Sequence, residues 1–289
     1  MAKTSIQWTD KTWNPTVGCT KVSPGCAGCY AERMARRLKA MGRPEYQDVV
    51  NDKGHWAGKV NLVPDRLEQP LHWRKPSMIF VDSMSDLLHP WIFDTGHETF
   101  VDEVFAIMAA TPWHTYQILT KRAAIMRDYT SNPRREIYVR HALQGIYNTS
   151  AHNAESTPEF TWPLPNVWLG VSVENQDTAD ERIPLLLQTP AAVHFISAEP
   201  LLSDLQIDYF LGKLPEDEDG APYLEHIDWV ITGCESGTRR RPAKLDWFRS
   251  LRDQTKAAGA AFFLKQMEIY GRVVHMPELD GRQWVEYPK

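Results

Sequence analysis

Cysteine is scarce in this chain, with four in 289 residues, too few for the disulfide framework of a small secreted domain. Long apolar runs are missing as well: no stretch approaches the roughly 20 residues that span a bilayer, and the opening MAKTSIQWTD has no signal-peptide core. A membrane role is therefore not expected, and a reducing cytosol is the expected compartment. Positive charge is not in surplus, since 37 acidic residues outnumber 32 Lys and Arg for a net charge of −5. That excludes a surface that is basic all over and leaves room for a local basic channel. The glycine-rich GxGxxG fingerprint of dinucleotide-binding folds is absent, as are internal repeats and low-complexity tracts. With 43% apolar and 24% charged residues, the chain has the composition of a globular protein.

What is present is an alternation of short apolar runs with helix-like segments. The runs are SIQWTD (5–10), MIFVDS (78–83), TYQILT (115–120), VWLGVSV (167–173), VHFISAE (193–199), DWVITG (228–233) and AFFLKQ (261–266). Most are continuously apolar, as for strands of a parallel sheet covered on both faces. Segments 95–111 and 244–260 carry apolar residues at helical spacing, and the second ends on a glycine. The expectation is an α/β fold. Six runs end in polar residues: Asp82, Ser83 and Ser85; Thr120, Lys121 and Arg122; Ser172, Glu174 and Asn175; Ser197 and Glu199; Glu235 and Ser236; Lys265 and Gln266. Such residues converge at the C-terminal rim of a parallel barrel. The fold predicted is a partial (β/α) barrel of six to seven mostly parallel strands. One domain over 1–289 is expected, with insertions near 131–166 and 212–226.

Three of the four cysteines, Cys19, Cys26 and Cys29, fall within eleven residues in GCTKVSPGCAGCYAER. A C-x6-C-x2-C loop suits an iron–sulfur cluster, whose usual ligands are thiolates. Gly18, Gly25 and Gly28 permit close backbone approach to it. Structural zinc is the first alternative, its fourth ligand drawn from His55, His72, His89 or Cys234. A redox CxxC of Cys26 and Cys29 leaves Cys19 unexplained, and inert thiols are not usually clustered in such a loop.

The words WNPTVGCTKVSPGCAGCYAER, HWRKPSMIFVDSMSDLLH, TYQILTKR, PNVWLGVSVENQDTADERIP, FISAEPLL, DWVITGCESG and AFFLKQ resemble the radical S-adenosylmethionine (SAM) superfamily. More closely, they resemble its phage-associated three-cysteine-motif group. The resemblance implies a radical-SAM-type partial barrel and a 4Fe–4S cluster on Cys19, Cys26 and Cys29. It also implies SAM on the unliganded iron, cleaved on reduction by an external electron donor to a 5′-deoxyadenosyl radical that abstracts a substrate hydrogen. The phage association points to a nucleotide or DNA substrate, such as a hypermodified thymidine, in the bacterial host cytoplasm. The chain departs from the common loop in its six-residue first gap, in Gly28 before the last cysteine and in Tyr30 after it. SMSD (83–86) stands where a glycine-glycine-glutamate run is usual, and GCESG where the group has GGESG.

On that reading Ser83, Ser85 and Asp86 are candidate contacts for the SAM amine, and Ser172, Glu174 and Glu199 for the amine or ribose. Lys121, Glu235 and Lys265 are the candidate catalytic residues, on the substrate side of the site. Arg134, Arg135, Arg239, Arg240, Arg241 and Lys244 are either a phosphate-binding patch or a solvated face. Cys234 is either a neutral small-residue swap or a thiol near the substrate. The tryptophans are expected in the core. The rival classes are a non-catalytic zinc or iron–sulfur regulatory protein and a radical SAM enzyme acting on a protein or small metabolite.

Overall fold

The structure, a computed structural model, describes residues 4–149, 157–211, 226–237 and 239–288. In chain order its strands are β1 (Lys11–Trp13), β2 (Thr16–Val17), β3 (Asn61–Leu62), β4 (Met78–Val81), β5 (Thr115–Thr120), β6 (Val167–Ser172), β7 (Val193–Ala198), β8 (Trp229–Gly233), β9 (Ala261–Ile269), β10 (Arg272–His275), β11 (Glu278–Leu279) and β12 (Arg282–Gln283). Its helices are α1 (Tyr30–Ala40), α2 (Pro90–Asp94), α3 (Glu98–Ala110), α4 (Ala123–Thr130), α5 (Arg135–Thr149), α6 (Gln176–Leu187), α7 (Asp208–Leu211) and α8 (Leu245–Ala257).

One eight-stranded sheet, ordered β1-β4-β5-β6-β7-β8-β9-β10, organises the molecule. Every neighbouring pair from β1 to β9 is parallel and only β10 runs back, antiparallel to β9. Strand order follows chain order without reversal. An open doubly wound sheet reverses at a switch point, whereas unbroken right-handed crossovers keep the helices on one face and curl the sheet. The result is a mixed α/β, mostly parallel half-barrel. The residues 5–10 expected as the first strand form bends and turns instead, and the first strand is Lys11–Trp13. Trp8 in that segment turns into the concave side of the sheet, where its burial outweighs any pairing it would make as a strand residue.

Side-chain alternation along each strand separates two cores. Ile79, Ile118, Leu169, Val171, Val230 and Phe262 point outward to Val104, Ile183, Leu186 and Phe248 of the helices. The opposite face buries aromatics: Trp8 lies 4.7 Å from Phe80 and 6.1 Å from Trp229, and Trp229 lies 5.8 Å from both Trp168 and Phe195. The C-terminal segment closes this plug, with Tyr287 5.2 Å from Trp229 and the Trp229 indole donating to the Glu286 carbonyl at 2.8 Å. The concave side is thus packed shut toward the start of the strands and polar toward their ends, where Ser172 pairs opposite Ser197.

The 131–166 insertion contributes α5, which packs Val139 and Leu143 into the outer core. Arg135 does not belong to a surface phosphate patch. It is 1% exposed, donates to Asp102 at 2.5 Å and lies 3.7 Å over the Tyr129 ring. A desolvated guanidinium needs that pairing. The 212–226 insertion lies, up to residue 225, outside the described residues. Between α1 and β4 sits a satellite core not anticipated from sequence, in which Val17, Ala35, Tyr46, Val49, Val50 and Trp56 pack together under the cysteine loop.

A Cβ on Gly170 would come within 2.6 Å of the Phe195 ring. Gly170→Ala is therefore expected to cost about 1–3 kcal/mol, the range for overpacking, measured by chemical denaturation. A loss within experimental error would show that the plug is loosely packed.

Candidate functional site

The base of the cysteine loop is fixed first. Gly18 has φ +104°, and a Cβ there would meet the Lys59 carbonyl at 2.3 Å, so only glycine fits. Its N–H donates to the Met84 carbonyl at 3.2 Å and its own carbonyl accepts from the Ser85 hydroxyl at 2.7 Å. Beside it, Asn14 accepts from the Ser83 hydroxyl and the Met84 N–H, both at 3.0 Å. Ser83 and Ser85 thus brace the loop after β4 against the loop that carries Cys19.

Cys19, and the glycine before each of the other two cysteines, then meet the ends of three different strands. Arg122, just past β5, places a guanidinium nitrogen 3.8 Å from the Cys19 sulfur, 2.8 Å from the Thr20 hydroxyl and, through its other branch, 2.6 Å from Asp86. Asp86 also accepts from the Thr120 hydroxyl at 2.8 Å. Before Cys26, the Gly25 N–H donates at 3.0 Å to Glu174 at the end of β6. Glu174 has no solvent exposure and takes Lys121 at 3.0 Å and Arg182 at 3.2 Å. Before Cys29, Gly28 lies against Glu235 beyond β8, so closely that a Cβ would meet its carboxylate at 2.5 Å. Glu235 accepts from Arg241 at 2.5 Å, and Arg241 also reaches the Pro24 carbonyl at 2.9 Å. Cys29 caps α1, its sulfur accepting from the Glu32 N–H at 3.5 Å, which sets the positive end of that helix against the sulfur.

A fourth carboxylate stands apart from the loop. Glu199, after β7, pairs with Lys265 of β9 at 2.8 Å, both partly exposed, and the Ser172 hydroxyl donates to the Glu199 carbonyl at 3.3 Å. Cys234 is 2% exposed and packs in the outer core. Lys121, Glu174 and Glu235 are brought to the loop itself, while Ser172, Glu199 and Lys265 gather on the other side of the mouth. Arg122, Arg182 and Arg241 complete the ion pairs: the sequence put Arg122 at the rim and Arg241 in a possible phosphate patch without naming their partners, and did not single out Arg182. The run TKR placed Arg122 at a strand end, but nothing in it said that the guanidinium would turn toward Cys19.

Electrostatics follow burial. Burial pushes the Cys19 thiol up to about 12, opposed by the Arg122 charge. Burial also works to raise Glu174, but Lys121, Ser23 and the Gly25 N–H overcome it and hold the carboxyl below its usual range. The Arg241 hydrogen bonds lower Glu235. Burial lowers His89 to about 4, with Arg122 adding to the effect, so its ring is neutral near pH 7.

Three half-buried free thiols on one loop are a soft donor set suited to iron–sulfur ligation. The glycine backbone pressed against the rim forms a cradle that a Cβ would fill. Among the described residues, no three or more His, Cys, Asp or Glu are gathered as they would be around a single ion. A cluster distributes its thiolates over several irons, so its ligands stand farther apart than those of one zinc. A cleft of about 580 Å³ opens on the outer flank of the loop between Thr20, Lys21, Glu32 and residues 55–58.

Asp82 is buried just past β4. It has φ 57°, and its carboxyl bonds the Thr16 N–H at 3.1 Å and the Thr16 hydroxyl at 2.8 Å. Burial raises it to about 8 despite these bonds. The folded state therefore keeps a proton that the unfolded chain loses near pH 4, and stability falls as pH rises from about 4 to about 8. Asp82→Asn keeps the bonding pattern and tolerates the positive φ. It is expected to flatten the fall across that window, read as the difference in denaturation midpoints between wild type and variant. Parallel profiles would refute a protonated Asp82.

The profile of the family described as "Protein of unknown function (DUF5131)" matches residues 3–288. No curated protein and no solved structure matches the chain.

Proposed function

The chain belongs to the DUF5131 family, and within it we propose a radical SAM enzyme that modifies or rearranges a nucleobase in a nucleotide or DNA. The observation that carries the reading is that one loop with three cysteines is held against three different strand ends of a half-barrel, at Cys19 by Arg122, at Gly25 before Cys26 by Glu174 and at Gly28 before Cys29 by Glu235. Cys19, Cys26 and Cys29 would hold a 4Fe–4S cluster, which when bound supplies the electron that cleaves SAM to a 5′-deoxyadenosyl radical.

The chain's own residues bind and orient. Glu174 and Glu235 hold the loop against the rim through Gly25 and Gly28, the residues just before Cys26 and Cys29. Asp86 acts through Arg122 and not on the SAM amine, because its carboxylate is taken by Arg122, Thr120 and the Leu88 N–H at 3.1 Å. Glu199 and Ser172 are the groups left to receive an amine or ribose hydroxyls. Lys265, partly exposed beside Glu199, is the cation available to a substrate anion. The aromatic plug below keeps water out of the closed end. Hydrogen abstraction requires no general base, so Lys121 serves to hold Glu174.

The nucleic-acid substrate draws support from charge placement. Residues 20–43 carry Lys21, Arg33, Arg36, Arg37, Lys39 and Arg43 against Glu32 alone, a net of +5 in a chain whose total is −5. Arg33, Arg36 and Arg37 are exposed along α1, with Tyr30 52% exposed at its start. Arg33 stands at the mouth, where a Cβ on Gly237 would meet it at 2.6 Å. A basic ledge with an exposed aromatic suits a phosphate backbone and an unstacked base, and the target base of a duplex would have to be flipped out.

Protein purified without oxygen should hold about four irons and matching sulfide per chain and form 5′-deoxyadenosine from SAM and a reductant. Cys26→Ala should abolish both, while Cys234→Ala should retain the cluster. One zinc and no SAM cleavage would sink the reading in favour of a regulatory protein. For the substrate, retention on DNA should fall steeply with salt. R36E/R37E should weaken that retention at least tenfold and reduce the salt slope by about 2 without changing thermal stability. DNA binding indifferent to these charges would favour a protein or metabolite substrate.

A further inference from the structure

Cys19 differs from its two companions in having a buried cation at its sulfur. Arg122 is 8% exposed, and Asp86 alone would satisfy its charge. Its second branch nevertheless extends to the cysteine loop, donating to the Thr20 carbonyl at 3.2 Å and hydroxyl at 2.8 Å and lying 3.8 Å from the Cys19 sulfur. Among the described residues its Nε has no hydrogen-bond partner, an orphaned donor of the kind that a buried site does not retain without cause.

The Thr20 hydroxyl is held from a second side. His89 Nδ1 accepts from the Trp91 N–H at 3.1 Å, so in the neutral ring the proton sits on Nε2, which donates to Thr20 Oγ1 at 2.9 Å. Thr20 therefore accepts from both His89 and Arg122. Its position next to Cys19 fixes where the guanidinium meets the sulfur.

We propose that Arg122 is a positioning residue for the Cys19 corner of the cluster, donating to that thiolate so that the cluster is easier to reduce. The inference rests on the radical SAM reading of the site. Charge and hydrogen bonds at a ligating sulfur stabilise the more negative, reduced state and raise the potential. Among the described residues the other two sulfurs have no cation at hydrogen-bond distance: Cys26 meets the Ser23 hydroxyl at 3.8 Å, and Cys29 meets a backbone N–H. One corner of the cluster is thus set apart by a fixed positive charge.

Two variants test this in reconstituted protein. Arg122→Lys keeps a cation for Asp86 but loses the branch to Thr20 and Cys19. The double variant D86N/R122Q removes both charges together, leaving no unpaired ion to unfold the site. Redox titration followed by the cluster's optical or EPR signal should show both variants about tenfold harder to reduce, which for one electron is about 59 mV more negative. Iron per chain should stay at the wild-type level. Wild-type potentials in both variants would overturn the proposal, and so would loss of iron from variants that retain the wild-type melting temperature. Wild-type protein that takes up no iron–sulfur cluster would instead overturn the reading beneath it and this inference with it.

Discussion

A carboxylate with no access to water, Glu174, is where the structure's separate parts are joined. Burying an ionised carboxylate is costly unless it is paired and hydrogen-bonded. Glu174 meets that demand by drawing in Lys121 from the end of β5, Arg182 from α6 and the Gly25 N–H from the cysteine loop. None of these partners can move away without leaving a charge stranded. The loop is therefore positioned by the strand ends, although it lies about 150 residues from Glu174 in sequence. The capping box of Asn175 and Thr178 at the start of α6 anchors the carboxylate's own backbone.

The same rule repeats around the rim. Asp86 with Arg122, Glu199 with Lys265 and Glu235 with Arg241 are each a strand-end carboxylate with a dedicated cation. Three of the four pairings also touch the loop, one beside each cysteine. The fourth, Glu199 with Lys265, faces the open side of the mouth and is left for whatever binds there. Rigidity on the cysteine side and availability on the other arise from one device used in two ways.

The fold was legible because the strands announce themselves. TYQILT, VWLGVS and VHFISA are short runs built on aromatic and β-branched residues, and each forms the strand expected of it. The first strand was misplaced because SIQWTD has strand composition while Trp8 is worth more inside the barrel than in a pairing register. The satellite core of residues 41–63 has short turns and no periodic signal, so only its contacts reveal it. At the site, the cysteines and the carboxylates could be read from residue type and position. Their partners could not. Arg182 looks in sequence like any surface arginine, the positions of Arg122 and Arg241 did not say which carboxylate each would meet, and Arg135, read as part of a charged patch, is buried against Asp102. Which cation meets which carboxylate is decided by strand register and side-chain direction, neither of which a charge count carries.

A curled sheet that is open along one edge has two ends and needs different chemistry at each. Toward the start of the strands, the bulky rings of Trp8, Trp168, Phe195 and Trp229 fill the concavity, helped by the Tyr287 ring. Toward the ends, the inward positions shrink to Ser172, Ser197 and Gly233, and the space they leave is bounded by ion pairs. Gly233 shows how closely this is drawn, since a Cβ there would meet the Glu199 carboxylate at 2.7 Å. Small residues on the inward face thus do at the mouth what large ones do below: they set the depth to which anything can enter. The cysteine loop is held against three of those strand ends, and α1, which starts from it at Tyr30, carries the exposed Arg33, Arg36 and Arg37.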